Sequence, residues 1–243
     1  MQQDENDAAS FAAFDLEFEA WRKSWLESLI DDYGMVSCYR AANAGLRPPA
    51  ARENRVVFFG DSITEGWRLD AHFPGKAFIN RGIGAQTTPQ MLLRFRQDVV
   101  ALHPEAVVLL AGVNDIGGNT GPMPLEDTQA NYASMAEIAG ANGVAVIVSS
   151  LLPPSHRETL LSRYNLYKHP PQKIRALNRW LEDYAAAQGH EFVNYFDAMG
   201  DGGGFVKPEL SEDGLHPAPA GYAVMAKAVS AAIGRALARA QIA

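Results

Sequence analysis

Ser62, Asn114, Asp213 and His216 have side chains and settings that suit nucleophilic acyl chemistry, with Gly84 as a backbone contributor. Ser62 follows the run Val56-Val57-Phe58-Phe59-Gly60-Asp61. Four apolar residues ending at a glycine read as a buried parallel strand that stops abruptly. A serine just past that end would have an exposed hydroxyl with helix N–H groups beside it, the setting of a nucleophile whose product is an oxyanion. The same position also suits a plain helix N-cap, where serine is favoured. Asp213 and His216 are three residues apart, and residues i and i+3 on a turn-like backbone share one side, so the carboxylate can reach the ring. Gly84 sits in the turn Arg81-Gly82-Ile83-Gly84, and Asn114 in Gly112-Val113-Asn114-Asp115. This supplies a nucleophile, a base, a group that orients the base, and two further oxyanion donors. That is the Ser-His-Asp logic, defined by roles and not by chain order.

These residues are far apart in the chain, so the elements around them must bring them together. Short apolar runs at about 56–60, 77–80, 106–111, 144–150 and 191–195 alternate with helical patterns at about 89–102, 125–141, 172–188 and after 217. Such alternation predicts a five-stranded parallel sheet with helices on both faces and right-handed crossovers. The carboxyl ends of parallel strands lie along one edge, where ligands bind in open α/β sheets.

Upstream, Phe11, Phe14, Phe18, Trp21, Trp25 and Leu29 recur at three or four residues. That spacing predicts one helix over about 11–44, packed by its apolar stripe on the body of the domain. Residues 1–50 are therefore read as an N-terminal helical extension and 51–243 as one catalytic domain. Residues 153–171 form a polar connection longer than most loops. Its Arg157, Arg163, Tyr164, Tyr167 and His169 are expected to form a lip on the leaving-group side.

Composition excludes several classes. The chain has 243 residues and a formal charge of −7, an acidic balance that argues against nucleic acid or an anionic membrane as partner. The single cysteine, Cys38, allows no intramolecular disulfide. Residues 1–10 lack the apolar region of a signal peptide, and no apolar run approaches the roughly 20 residues of a membrane span. A cytoplasmic location is the expectation. No metal or other cofactor is needed, and the expected partner is a small-molecule ester.

Gly60-Asp61-Ser62, Gly84 in its turn, Gly112-Val113-Asn114-Asp115 and Asp213-Gly214-Leu215-His216-Pro217 resemble, in order and spacing, the four sequence blocks of the GDSL or SGNH hydrolases. The second and third blocks are most similar to the subgroup near platelet-activating-factor acetylhydrolases and small-acyl esterases. The resemblance implies a flavodoxin-like three-layer α/β/α sandwich and serine ester hydrolysis. It further implies Ser62 as nucleophile, His216 as base and Asp213 as its partner. The oxyanion donors would be the N–H groups of Ser62 and Gly84 and the Asn114 side chain. The same residues would serve an acyltransferase, a lysophospholipase or a thioesterase, and the fold could persist as a binding module without catalysis.

Gly82-Ile83-Gly84-Ala85-Gln86-Thr87 nearly spells a dinucleotide fingerprint. Thr87 replaces the third glycine and no acid follows at the ribose position. Trp67, five residues past Ser62, is read either as a wall of the acyl pocket or as core, and Ile116 as a second apolar group of that pocket. Asp61, Asp115 and Arg81 are expected to brace the site's loops. With no extended apolar segment beside the blocks, acetyl to butyryl esters are the expected substrates.

Overall fold

A computed structural model describes residues 2–156 and 159–240. The elements in chain order are α1 (Gln2–Ser28), α2 (Arg40–Ala44), β1 (Val56–Gly60), α3 (Ser62–Glu65), α4 (Leu69–His72), β2 (Phe78–Gly82), α5 (Thr88–Asp98), β3 (Ala106–Leu110), α6 (Val113–Gly117) and α7 (Leu125–Ala141). They continue with β4 (Ala145–Ser149), α8 (Leu160–Lys168), α9 (Pro171–Gln188), β5 (Glu191–Val193), α10 (Tyr195–Met199) and α11 (Pro219–Ala240).

The five strands pair in parallel in the order β2-β1-β3-β4-β5, the flavodoxin-like order. β1 and β3 are buried along their whole length, as expected of strands covered on both faces. Alternation sends neighbouring side chains to opposite faces. Phe58 meets Trp67 edge-on at 5.3 Å, while Phe59 meets Phe95 of α5 edge-on at 5.2 Å. α5, α7 and α9 lie side by side on one face, and α11 packs on β3, β4 and β5. The chain leaves β1 toward β2 on one side and returns to β3 on the other. The carboxyl ends of β1 and β3 therefore flank a topological switch point, where open α/β sheets bind ligands.

Two expectations about the N-terminal part and the connection need correction. The helix predicted over 11–44 is broken after Ser28. The Asp32 carboxylate accepts from the backbone N–H groups of Val36 and Ser37, both at 2.8 Å, which favours a turn over continued helix. The segment behind that turn is stitched into the main domain. Gln86 Nε2 donates to Gly34 O at 2.9 Å, Gln90 Nε2 to Tyr33 O at 2.8 Å, and Asn43 Nδ2 to Asp98 Oδ1 at 2.7 Å. The connection 153–171 contains the helix α8, started by Thr159, whose side chain accepts from Ser162 N. Arg157 lies outside the described residues. Among the described residues, no helix is long and apolar enough to cross a membrane.

Candidate active site

Strand register sets the floor of the site. Gly60 of β1 pairs with Gly82 of β2 and with Leu110 of β3. Ser62 and Gly84 each stand two residues beyond this level row, and Asn114 stands four beyond Leu110. A β-carbon on Gly60 would fall 2.7 Å from Leu110 O, so only glycine lets the strand end turn this sharply. Asp61 then caps α3 by accepting from Ile63 N at 3.0 Å, which presents Ser62 at the helix start. A β-carbon on Gly84 would lie 3.8 Å from that of Ser62 and 3.0 Å from Glu65 Oε2. The glycine thus stands beside both the serine and the Glu65 carboxylate.

The turn that holds Gly84 hangs on one buried cation. Arg94 of α5 is wholly buried. It donates to Gly60 O at 3.0 Å, Arg81 O at 2.9 Å, Gln86 Oε1 at 2.5 Å and Asp98 Oδ2 at 3.1 Å. Its guanidinium also lies 4.1 Å from the Phe59 ring centre. It therefore binds the ends of β1 and β2 to the turn between β2 and α5. Sequence reasoning passed over Arg94, because a lone arginine on a helical pattern gives no sign of being inside. Arg81 has the bracing role expected of it, donating to Asn43 Oδ1 at 2.9 Å and Asn80 O at 2.6 Å.

Asn114 is buried at the start of α6 and donates one amide hydrogen to Gln86 O at 3.0 Å. That bond fixes the side chain and leaves a second N–H. Its neighbour Asp115 is buried, which pushes its carboxyl upward. It accepts from Thr88 N at 3.1 Å and from the hydroxyls of Thr88 and Thr128, tying α6 to α5 and α7. Burial likewise pushes Asp61 up to about 7.

The histidine arrives on a loop closed by its own polar groups. Asp213 Oδ1 accepts from Leu215 N and His216 N, both at 2.8 Å, and Asp213 Oδ2 lies 2.7 Å from His216 Nδ1. Burial works against the charged carboxylate, but the bonds from the His216 ring, the His216 N–H and the Leu215 N–H hold Asp213 down at about 2. In return, the bond that His216 Nδ1–H donates to Asp213 raises the imidazole above its ordinary 6.5, against the opposing effect of burial. With Nδ1–H donating to the carboxylate, Nε2 is left to accept. Ser62 Oγ lies 2.9 Å from it. A hydroxyl, an imidazole and a carboxylate in this sequence of bonds can generate an alkoxide-like nucleophile and hold the imidazolium that results.

Above this floor is a cleft of about 430 Å3. Ser62, Gly84, Asn114 and His216 line it together with Ala85, Asn119, Tyr164, Asn165, Lys168 and His169, and with Phe18, Trp21 and Trp25 of α1. Tyr164 and His169, expected at the lip, are there. His169 is buried, which pushes it down to about 4, and its Nδ1 donates to Asn165 O at 2.9 Å. Tyr167 is exposed and Arg163 lies over the Phe11 ring at 5.5 Å.

Trp67 and Ile116 do not line the cleft, which corrects the expected acyl pocket. α3 is a single turn, so by Trp67 the chain has swung back over β1. There Trp67 sits in the core against Phe58, Phe73 and Tyr222. Ile116 follows Asn114 by two residues, about 200° round a helix, and enters the same core. Three of the cleft's aromatic rings, Phe18, Trp21 and Trp25, come instead from α1, whose stripe the sequence assigns to packing alone. Its spacing was visible, but nothing local told which part of the body it would face.

The family model described as GDSL-like lipase/acylhydrolase matches residues 58–224. A GDSL-like lipase from Bacteroides thetaiotaomicron is 41% identical, with a TM-score of 0.77, covering 85% of this chain and 100% of its own. A protein from Streptococcus pneumonia described as a platelet activating factor is 26% identical, with a TM-score of 0.74, covering 91% of this chain and 99% of its own. A Bacillus subtilis protein named lipoprotein YqeF is 28% identical over 153 residues. That match spans 53% of this chain and 62% of the lipoprotein, less than two thirds of its length. With the matched family model running from β1 into the last helix, the chain belongs to the GDSL-like lipase and acylhydrolase family, a family of carboxylic ester hydrolases.

Proposed function

We propose that the chain hydrolyses short-acyl esters of polar alcohols through an acyl-serine intermediate. The observation that carries this reading is the continuous relay from Ser62 Oγ to His216 Nε2 at 2.9 Å and from His216 Nδ1 to Asp213 Oδ2 at 2.7 Å. Nε2 takes the hydroxyl proton as Ser62 Oγ attacks the ester carbonyl carbon, and the C=O electron pair moves onto oxygen. The Ser62 and Gly84 N–H groups and the second N–H of Asn114 receive that charge. Collapse of the tetrahedral species breaks the bond to the alcohol oxygen, which leaves with the proton held on His216. Water, deprotonated by the same nitrogen, then attacks the acyl-serine and releases the acid. Asp213 holds the tautomer and stabilises the imidazolium without taking the proton.

A short acyl group is favoured because, among the described residues, those lining the cleft at Gly84, Ala85 and Asn119 offer backbone and amide groups, while its indoles, Trp21 and Trp25, belong to α1. Turnover of p-nitrophenyl esters from acetate to palmitate tests this, with the optimum expected between two and four carbons. An optimum at eight carbons or longer would refute the short-acyl reading. A serine-directed phosphonate should label Ser62 and no other residue, and labelling elsewhere would refute the assignment of the nucleophile.

A further inference from the structure

The loop that carries His216 is joined to a wall. Asn165 Nδ2 donates to Asp213 O at 2.8 Å, so α8 is fixed to the histidine segment. α1 lies along α8. Phe14 stacks on Tyr164 with ring centres 5.0 Å apart, Lys168 Nζ is 2.8 Å from Asp15 Oδ1, and the same ammonium is 4.4 Å from the Phe18 ring centre. Toward the cleft, α1 presents Trp21 and Trp25, whose rings are stacked with centres 5.6 Å apart and planes only 9° from parallel. Trp21 is 43% exposed. Indoles of this size normally bury themselves or meet a partner, and this stacked pair opens onto a cleft that holds a nucleophile.

We propose that Trp21 and Trp25 form a stacking subsite for the ring of the substrate's alcohol part, a pyranose-class sugar ring that carries the ester. The proposal rests on the serine-esterase reading given above. The leaving oxygen takes its proton from His216, so the alcohol occupies the histidine side of Ser62, where the wall is attached through Asn165. A sugar ring has one face of C–H groups, which lies flat on an indole, and an edge of hydroxyls. The Lys168 ammonium stands beside the wall with further N–H groups to offer those hydroxyls. A hydrocarbon chain in the same place would have to cover that ammonium, which penalises the charge.

Calorimetric titration of a mono-acetylated methyl pyranoside into the Ser62→Ala protein reads the subsite without turnover. Adding Trp25→Ala should weaken binding tenfold or more, and Trp25→Phe should restore most of it. Trp21→Ala, at a more exposed position, should also weaken binding and guards against a fold defect at Trp25. Loss of affinity with an intact melting transition supports the subsite. Unchanged affinity, or no saturable binding by the parent, overturns it. In the Ser62-containing protein, the ratio of kcat/KM for the pyranoside ester to that for ethyl acetate should fall tenfold or more with Trp25→Ala. Ester turnover with an unchanged ratio sinks the subsite alone. Binding through Trp25 without any ester turnover sinks the esterase reading alone. A Trp25→Ala loss seen with octanoate esters and not with the pyranoside assigns the wall to the acyl chain and overturns the proposal.

Discussion

Ser62, Gly84 and Asn114 stand beyond the ends of paired strands, of which β1 and β3 are buried throughout, whereas Trp21 and Trp25 stand on a helix that meets the body of the protein through α8. The floor is held by hydrogen bonds to backbone at close spacing. Arg94 alone ties three segments together there. The wall is held by stacked rings and the Lys168–Asp15 pair, at side chains that are partly open to solvent. Groups that stabilise developing charge must be in place before reaction, because reorganising them would cost the stabilisation they provide. A wall that recognises a ring needs only a surface. The floor should therefore respond to substitution in kcat and in global stability, and the wall in affinity and local opening.

The sharpest break of the floor is Ser62→Ala. It should lower kcat on a short ester by on the order of 10⁶-fold, while the melting temperature moves by no more than about 2 °C. Steady-state assay beside calorimetric melting checks both, and wild-type turnover would remove the nucleophile from Ser62. Asp213→Asn should lower kcat by roughly 10⁴-fold, since the imidazole loses the partner that sets its tautomer. It also tests pH dependence. The base form of His216 is the active one and Asp213 raises its pKa, so kcat/KM should rise with pH through an inflection above 6.5. In Asp213→Asn that inflection should move to lower pH, and a pH–rate profile with no such movement would break the pairing.

Arg94→Leu should act on the floor without touching substrate. It leaves Asp98 buried without its cation, and losses of about 3–5 kcal/mol accompany such a break, measured by denaturant unfolding. Asn114→Ala should reduce kcat by about 10²–10³-fold with KM nearly constant, because the donor acts on the transition state. A rise in KM at constant kcat would make Asn114 a substrate-binding residue instead. The smallest effect belongs to the wall. Asp15→Ala should cost about 0–1 kcal/mol, as partly exposed pairs do. It should speed amide exchange in α1 and leave β1 protected, and equal acceleration in both would mean that wall and floor open as one unit.

Much of the floor was legible in the sequence for a physical reason. Gly60, Ser62, Gly84 and Asn114 sit where periodic apolar runs stop, and a parallel sheet must align those stops along one edge. Asp213 and His216 were legible because three residues of turn bring them together without help from the rest of the chain. The errors came from direction. Trp67 and Ile116 are close to Ser62 and Asn114 in sequence, yet a single helical turn sends each into the core. α8 was hidden because Ser162, Arg163, Asn165 and Lys168 interrupt any apolar stripe, so that helix depends on Thr159 and on its neighbours.

By itself, the sequence determined the five strands, the main helices between them and the residues that stand where those strands stop, because each depends on spacing over a few residues, and a parallel sheet brings such stops to one edge. Tertiary structure alone decided that Arg94 would be the buried clamp, that α1 would turn its stripe of rings toward Ser62, and that α8 would join that stripe to the histidine loop. Those outcomes depend on contacts between segments as far apart as Asp15 and Lys168. No local pattern encodes which of several apolar surfaces a helix will cover. That choice is made by the total packing of the folded chain.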